Sequence, residues 1–164
     1  MLIVGVSAFL VGAVIYDLVS HRLPNFYLLS GLLFALVSQF FSFGWGGVSN
    51  AGIGLLLGFS LLIPLYALGG MAAGDVKLMA VVGVFLGSNG VLWGGVFSLI
   101  FGGLFGFLYL VYKGQFGRLL GRYWAMASLR SYIPAEDTDA ARHRFPYAIS
   151  IASGTFLSLY WTPI

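Results

Sequence analysis

Five carboxylates occur in 164 residues, and three of them, Glu136, Asp137 and Asp139, stand together in a polar stretch that water would solvate. The other two, Asp17 and Asp75, interrupt runs that are otherwise apolar. An ionisable group at membrane depth is costly and usually marks a site. Two carboxylates facing one poorly solvated cavity avoid a double charge by sharing a proton, one neutral and one ionised. Such a pair does general acid–base chemistry. The ionised acid takes a proton from an attacking water, while the neutral acid polarises a carbonyl and later protonates the leaving amine.

A purely structural alternative has Asp17 capping a helix end or pairing with His21 or Arg22, and Asp75 serving as an N-cap paired with Lys77. Asp is a favoured N-cap, and capping is compatible with catalysis. Lys77 stands two positions from Asp75, off its helical face, and suits lipid phosphate or snorkelling better. His21 and His143 read as solvated loop residues, and cysteine is absent, which removes thiolate metal sites, disulfides and thiol nucleophiles together. No metal and no cofactor are expected.

The elements that must carry Asp17 and Asp75 follow from composition. Hydrophobic residues make up 60% of the chain and charged ones only 8%, with a mean hydropathy of +0.98. Soluble domains are about a quarter charged, so the expected class is all-α, a polytopic membrane helix bundle forming one domain over residues 1–164. Six spans are expected, at 2–20, 26–43, 51–68, 76–87, 91–112 and 146–161, with Pro64 as a kink. The turns between them are "HRLPN", where Pro24 can start the next helix, "GWGGVSN", "GGMAAGD" and "SNG". No Lys or Arg precedes the first apolar run, which therefore reads as a permanent span and not as a cleavable signal.

With six crossings, the segments at 21–25, 69–77 and 113–145 lie on one side, and all eight Lys and Arg residues fall within them. The positive-inside rule makes that side cytoplasmic and puts both termini outside. The net charge of +3 is thus a topology marker, and no nucleic-acid partner is expected. Asp17 lies about one turn before the polar boundary of the first span, and Asp75 opens the fourth, so parity places them at the same membrane face. The fourth apolar run covers only about 18 Å of a hydrocarbon core about 30 Å thick. Either its helix begins well before Asp75, or the "GGMAAGD" backbone dips below the surface, which is tolerated only where protein or water satisfies it.

Within the cytoplasmic segment, 116–133 reads as an interfacial helix, with Phe116, Leu119, Leu120, Tyr123, Trp124 and Ala127 on one face and Arg118 and Arg122 on another. Glycines recur four apart, at Gly54 and Gly58, Gly83 and Gly87, and Gly102 and Gly106, a spacing that lets helix backbones approach closely in lipid.

Two segments, "YDLVSHRLPN" at 16–25 and "GGMAAGDVKLMAVVG" at 69–83, resemble the signature segments of the type IV prepilin peptidases, polytopic membrane aspartyl proteases. The resemblance implies that Asp17 and Asp75 are the catalytic pair, and it matches Pro24, Asn25, Gly74 and Lys77 to accompanying motif residues. "RFPYAISIASG" at 144–154 is similar to the closing helix of that family. Ala72 stands where the family pattern has its first glycine.

The family's larger members insert a domain with paired cysteines between the first two helices and also methylate the new N-terminus. Here that loop is about five residues and cysteine-free, so methylation is not expected. The compact form is similar to the peptidases of tight-adherence (Flp) pilus systems. That implies a bacterial-type inner membrane, and prepilins or pilin-like proteins as substrates, with a short basic leader cut at the cytoplasmic face. Glu136, Asp137 and Asp139 are candidates to attract that leader. The competing function is a small ion- or proton-coupled transporter using the two carboxylates as a relay. Transporters place such groups near the midplane and carry internal repeats; here both acids lie at one interface and no repeat is visible.

Overall fold

Helices that are apolar on every side belong in lipid or in a deep core, and the described residues form four such helices. The computed structural model describes residues 2–20, 22–112, 114 and 147–161. The helices are α1 (Leu2–Ser20), α2 (Asn25–Ala67), α3 (Ala73–Tyr112) and α4 (Tyr147–Trp161), with no strand among the described residues. The expected interfacial helix at 116–133 and the acidic cluster Glu136, Asp137 and Asp139 lie outside the described residues. Two units are distinguished, one of Met1–Gly102 with Pro146–Ile164 and one of Gly103–Phe145. In the second unit the described part is the end of α3, closed by a turn in which the Gly114 N–H donates to the Val111 carbonyl at 2.9 Å. The site lies in the first.

Three helical stretches, Leu2–Ser20, Asn25–Ala67 and Ala73–Tyr109, are long and apolar enough to cross a membrane. The last two are each interrupted once. Gly44 has φ 62° and ψ −147°, and Gly87 has φ 70° and ψ −173°, a region open essentially to glycine alone. Gln39 and Asn50 stand eleven positions apart, which a straight helix would separate by about 16 Å. Yet both reach the Gly87 turn, Gln39 through the Val84 and Phe85 carbonyls and Asn50 through Ser88. The chain therefore folds back at Gly44. The expected turns at 44–50 and 88–90 contract to Gly44 and Gly87, because a single glycine in this conformation reverses the backbone and the residues after it resume the helix at once. Pro64 does not end the helix either, for α2 continues through it to Ala67.

A break of this kind exposes helix-end carbonyls and N–H groups that need partners. Gln39 Nε2 donates to the carbonyls of Val84 and Phe85, both at 3.0 Å. Asn50 Oδ1 accepts from the Ser88 N–H at 3.1 Å and from the Ser88 hydroxyl at 2.7 Å. Two side chains of α2 thus close both sides of the break in α3.

Small residues set the packing. A Cβ on Gly54 would strike the Gly83 carbonyl and one on Gly58 the Met79 carbonyl, so 45–67 runs antiparallel to 73–86 at backbone contact. The Phe9 ring covers Gly31 and stacks on Tyr27 at 5.1 Å, and the Tyr27 hydroxyl donates to the Phe9 carbonyl. That sets α1 antiparallel to the first part of α2. In α4, Gly154 meets the backbone of Ser98, and Tyr147 lies over Gly102.

Phe85, Leu10, Leu62, Leu78, Met79 and Ile151 fill the interior. Outward, Val4, Val19, Phe41, Trp45 and Leu68 are each more than 70% exposed, an apolar surface no soluble monomer presents. Trp45 and Trp161 mark the end that carries the glycine turns, the position of an aromatic belt.

Candidate active site

The turn before α3 presents Asp75. α2 ends with Gly69 at φ 75°, where the Gly70 N–H donates to the Leu65 carbonyl at 2.8 Å and the Gly69 N–H to the Tyr66 carbonyl at 2.9 Å. This is a Schellman ending, which wants glycine at its left-handed residue. α3 then begins at Ala73, only two residues before Asp75, and not well before it. Asp75 is the third residue of the helix. Its Oδ2 accepts the N–H of Ala72 at 3.1 Å, and its own N–H donates to the Ala72 carbonyl at 3.1 Å. The structural alternative of an N-cap is not what is found, since Asp75 reaches back to the cap residue as the acid of a capping box does. The left-handed position of this turn is Gly69, and Ala72 contributes ordinary backbone donors and acceptors.

Lys77 does not pair with Asp75. Its ammonium donates to Asn25 Oδ1 at 2.9 Å, and Leu23 packs beside Gly74, 3.5 Å from where a Cβ on that glycine would sit. These two contacts join the segments 16–25 and 69–83. Pro24 precedes α2 in extended conformation, with φ −66° and ψ 136°, and its carbonyl accepts the Leu28 N–H at 3.2 Å.

Asp17 sits in the last turn of α1, 8% exposed, and Asp75 is 6% exposed. Asp17 Oδ2 accepts the N–H of Ala148 at 3.3 Å, a bond to the first turn of α4 and not to its own helix. The preceding residue, Tyr147, lies within electrostatic reach of Asp75, and its hydroxyl donates to the Ser98 carbonyl at 3.2 Å. Two acids separated by 58 positions in sequence thus lie on segments joined by the Leu23–Gly74 and Asn25–Lys77 contacts. Both also sit at helix N-termini, Asp17 at that of α4 and Asp75 at that of α3, where the helix dipole favours negative charge. That explains how a protein with so few charges retains a carboxylate at each place.

Tyr147, Ala148 and Ser98 were missed as site residues by reading the sequence alone. Their signal is faint: a tyrosine opening a helix whose inner face is small and polar, at Ala148, Ser150, Ala152, Gly154 and Thr155. The ring of Tyr147 needs the bare surface of Gly102, which the sequence suggested only as a packing glycine.

No curated protein and no solved structure matches this chain. A family model does, over residues 4–111. The match takes in both acids, the two segments joined at Leu23–Gly74 and Asn25–Lys77, and the breaks at Gly44 and Gly87, while α4 lies beyond it. A match covering about two thirds of the chain, with every motif residue inside it, shows that this protein belongs to the type IV leader peptidase family, a family of aspartic-type proteases.

Proposed function

We propose that this protein is a membrane aspartyl endopeptidase that removes the short basic leader from prepilin-like proteins at the cytoplasmic face, without methylating the new N-terminus. Asp17 and Asp75 are its catalytic acids. The observation that supports this reading is that both acids are buried, on segments that the Leu23–Gly74 and Asn25–Lys77 contacts bring together. One acid, ionised, takes a proton from water as it attacks the scissile carbonyl; the other, neutral, polarises that carbonyl and protonates the departing amine. Pro24, Asn25, Gly74 and Lys77 hold the two acid-bearing segments together. Glu136, Asp137 and Asp139 are assigned the basic leader, the residues cut away.

The same proposal has the chain cross a bacterial-type inner membrane six times, with both long helices contributing two crossings each by reversal at Gly44 and Gly87, and with both termini outside. Substrates are pilin-like proteins, including those of tight-adherence pili. Co-expression of such a prepilin with the wild type, Asp17→Asn or Asp75→Asn, followed by a gel for leader removal, tests the site and the reaction together. Asparagine keeps the shape and cannot ionise. Cleavage is expected only with the wild type, and processing by either variant would end the proposal.

A further inference from the structure

A groove of about 230 Å³ runs between the two parts of α2 and the start of α3. Leu28, Leu32, Leu55, Phe59 and Val81 line its length, and Asn25 and Lys77 stand at one end. Neither Asp17 nor Asp75 borders it. From Asn25 to Leu32 it follows about 10 Å of helix.

Its two ends differ in chemistry. Lys77 is exposed, and its hydrogen bond goes to a neutral amide, Asn25; among the described residues no carboxylate pairs with it. An ammonium carries three donors, so positive charge and free N–H groups remain at the mouth, level with the turns that join α1 to α2 and α2 to α3. The rest of the groove offers only hydrocarbon. A helix, about 10 Å across with its side chains, is wider than this volume over this length allows, whereas a single extended hydrocarbon chain fits.

We infer that this groove binds an anionic phospholipid, its phosphate on Lys77 and Asn25 and the upper part of one acyl chain along Leu28, Leu32, Leu55 and Phe59. The bound lipid would tie the first part of α2 to α3 beside the acid-bearing turn. The inference requires that the chain reside in a bilayer, and it is independent of any cleavage activity.

The test is native mass spectrometry of the full chain extracted from vesicles of equal parts phosphatidylglycerol and phosphatidylcholine. The wild type should retain one phospholipid, enriched in phosphatidylglycerol. Leu55→Trp, which fills the groove from its half-buried wall, should lose the adduct while far-ultraviolet circular dichroism stays helical. Lys77→Gln should keep a lipid but lose about fivefold in preference for the anionic one, the factor expected of one basic residue near an anionic surface.

An adduct in Leu55→Trp equal to that of the wild type would overturn the site. Unchanged preference in Lys77→Gln would overturn the role given to the ammonium. An adduct with the mass of inorganic phosphate alone, or displacement of the lipid by an apolar transmembrane peptide, would overturn the occupant. Should Leu55→Trp lose its helical spectrum, Val81→Phe provides the same filling from α3 and is judged by the same readings.

Discussion

The two buried acids are held in opposite ways. Asp75 is held by its neighbours, through an exchange of hydrogen bonds with Ala72, three residues away, after a glycine ending at Gly69. Asp17 is held through Ala148, 131 positions along the chain. The first arrangement is a property of one turn and forms wherever that turn forms. The second exists only once α4 has docked on α1 and on the helix carrying Ser98. The position of Asp17 is therefore coupled to the docking of α4, in addition to the Leu23–Gly74 and Asn25–Lys77 contacts that join the two acid-bearing segments.

The sharpest probe of that contrast removes charge without removing shape. Asp17→Asn and Asp75→Asn should each lower cleavage by at least about 10³-fold with little change in thermal unfolding, because an amide oxygen still accepts from Ala148 or Ala72. A large loss of stability in Asp75→Asn, with none in Asp17→Asn, would show that the local cap depends on full charge. Gly154→Val comes next. Its side chain would enter the backbone of Ser98, displacing α4, and an error of about 1 Å in a catalytic array costs about 10²-fold. Cleavage should fall by that order even though Asp75 and its turn are untouched; unimpaired cleavage would mean that α4 does not govern the pair.

Gln39→Leu acts at the far end, leaving the Val84 and Phe85 carbonyls without their side-chain donor at a cost of about 1–3 kcal/mol. Detergent unfolding should register it while the cleavage rate per folded molecule stays the same. The smallest effect belongs to Ala72→Gly, which restores the family's usual residue. It should lower stability by about 0.5–1 kcal/mol through added backbone freedom and leave cleavage unchanged. A marked gain in rate would show that the alanine limits the turn.

Much of the architecture was legible because charge is scarce in this chain and because glycines and charges are specific in meaning. The convergence of the segments around Asp17 and Asp75 followed from parity and was met by the Leu23–Gly74 and Asn25–Lys77 contacts. The two reversals were placed within a few residues, but the sequence offered several glycines at each and could not say which one takes the left-handed conformation. Gln39 and Asn50 went unremarked, although a polar amide inside an apolar run implies a buried partner. Their partners are backbone groups and the Ser88 hydroxyl, 38 to 46 positions away, a pairing no local pattern encodes. The link from Asp17 to Ala148 was illegible for the same reason, since backbone N–H groups look alike in every sequence.

α4 has one more consequence. Its 15 described residues make about 22 Å of helix, several ångströms less than the hydrocarbon that the proposed topology has it traverse. Lipids meet so short an element by pinching inward around it. In the proposed topology the pinch falls where α4 opens, beside Asp17, and shortens the path by which bulk solvent delivers the hydrolytic molecule.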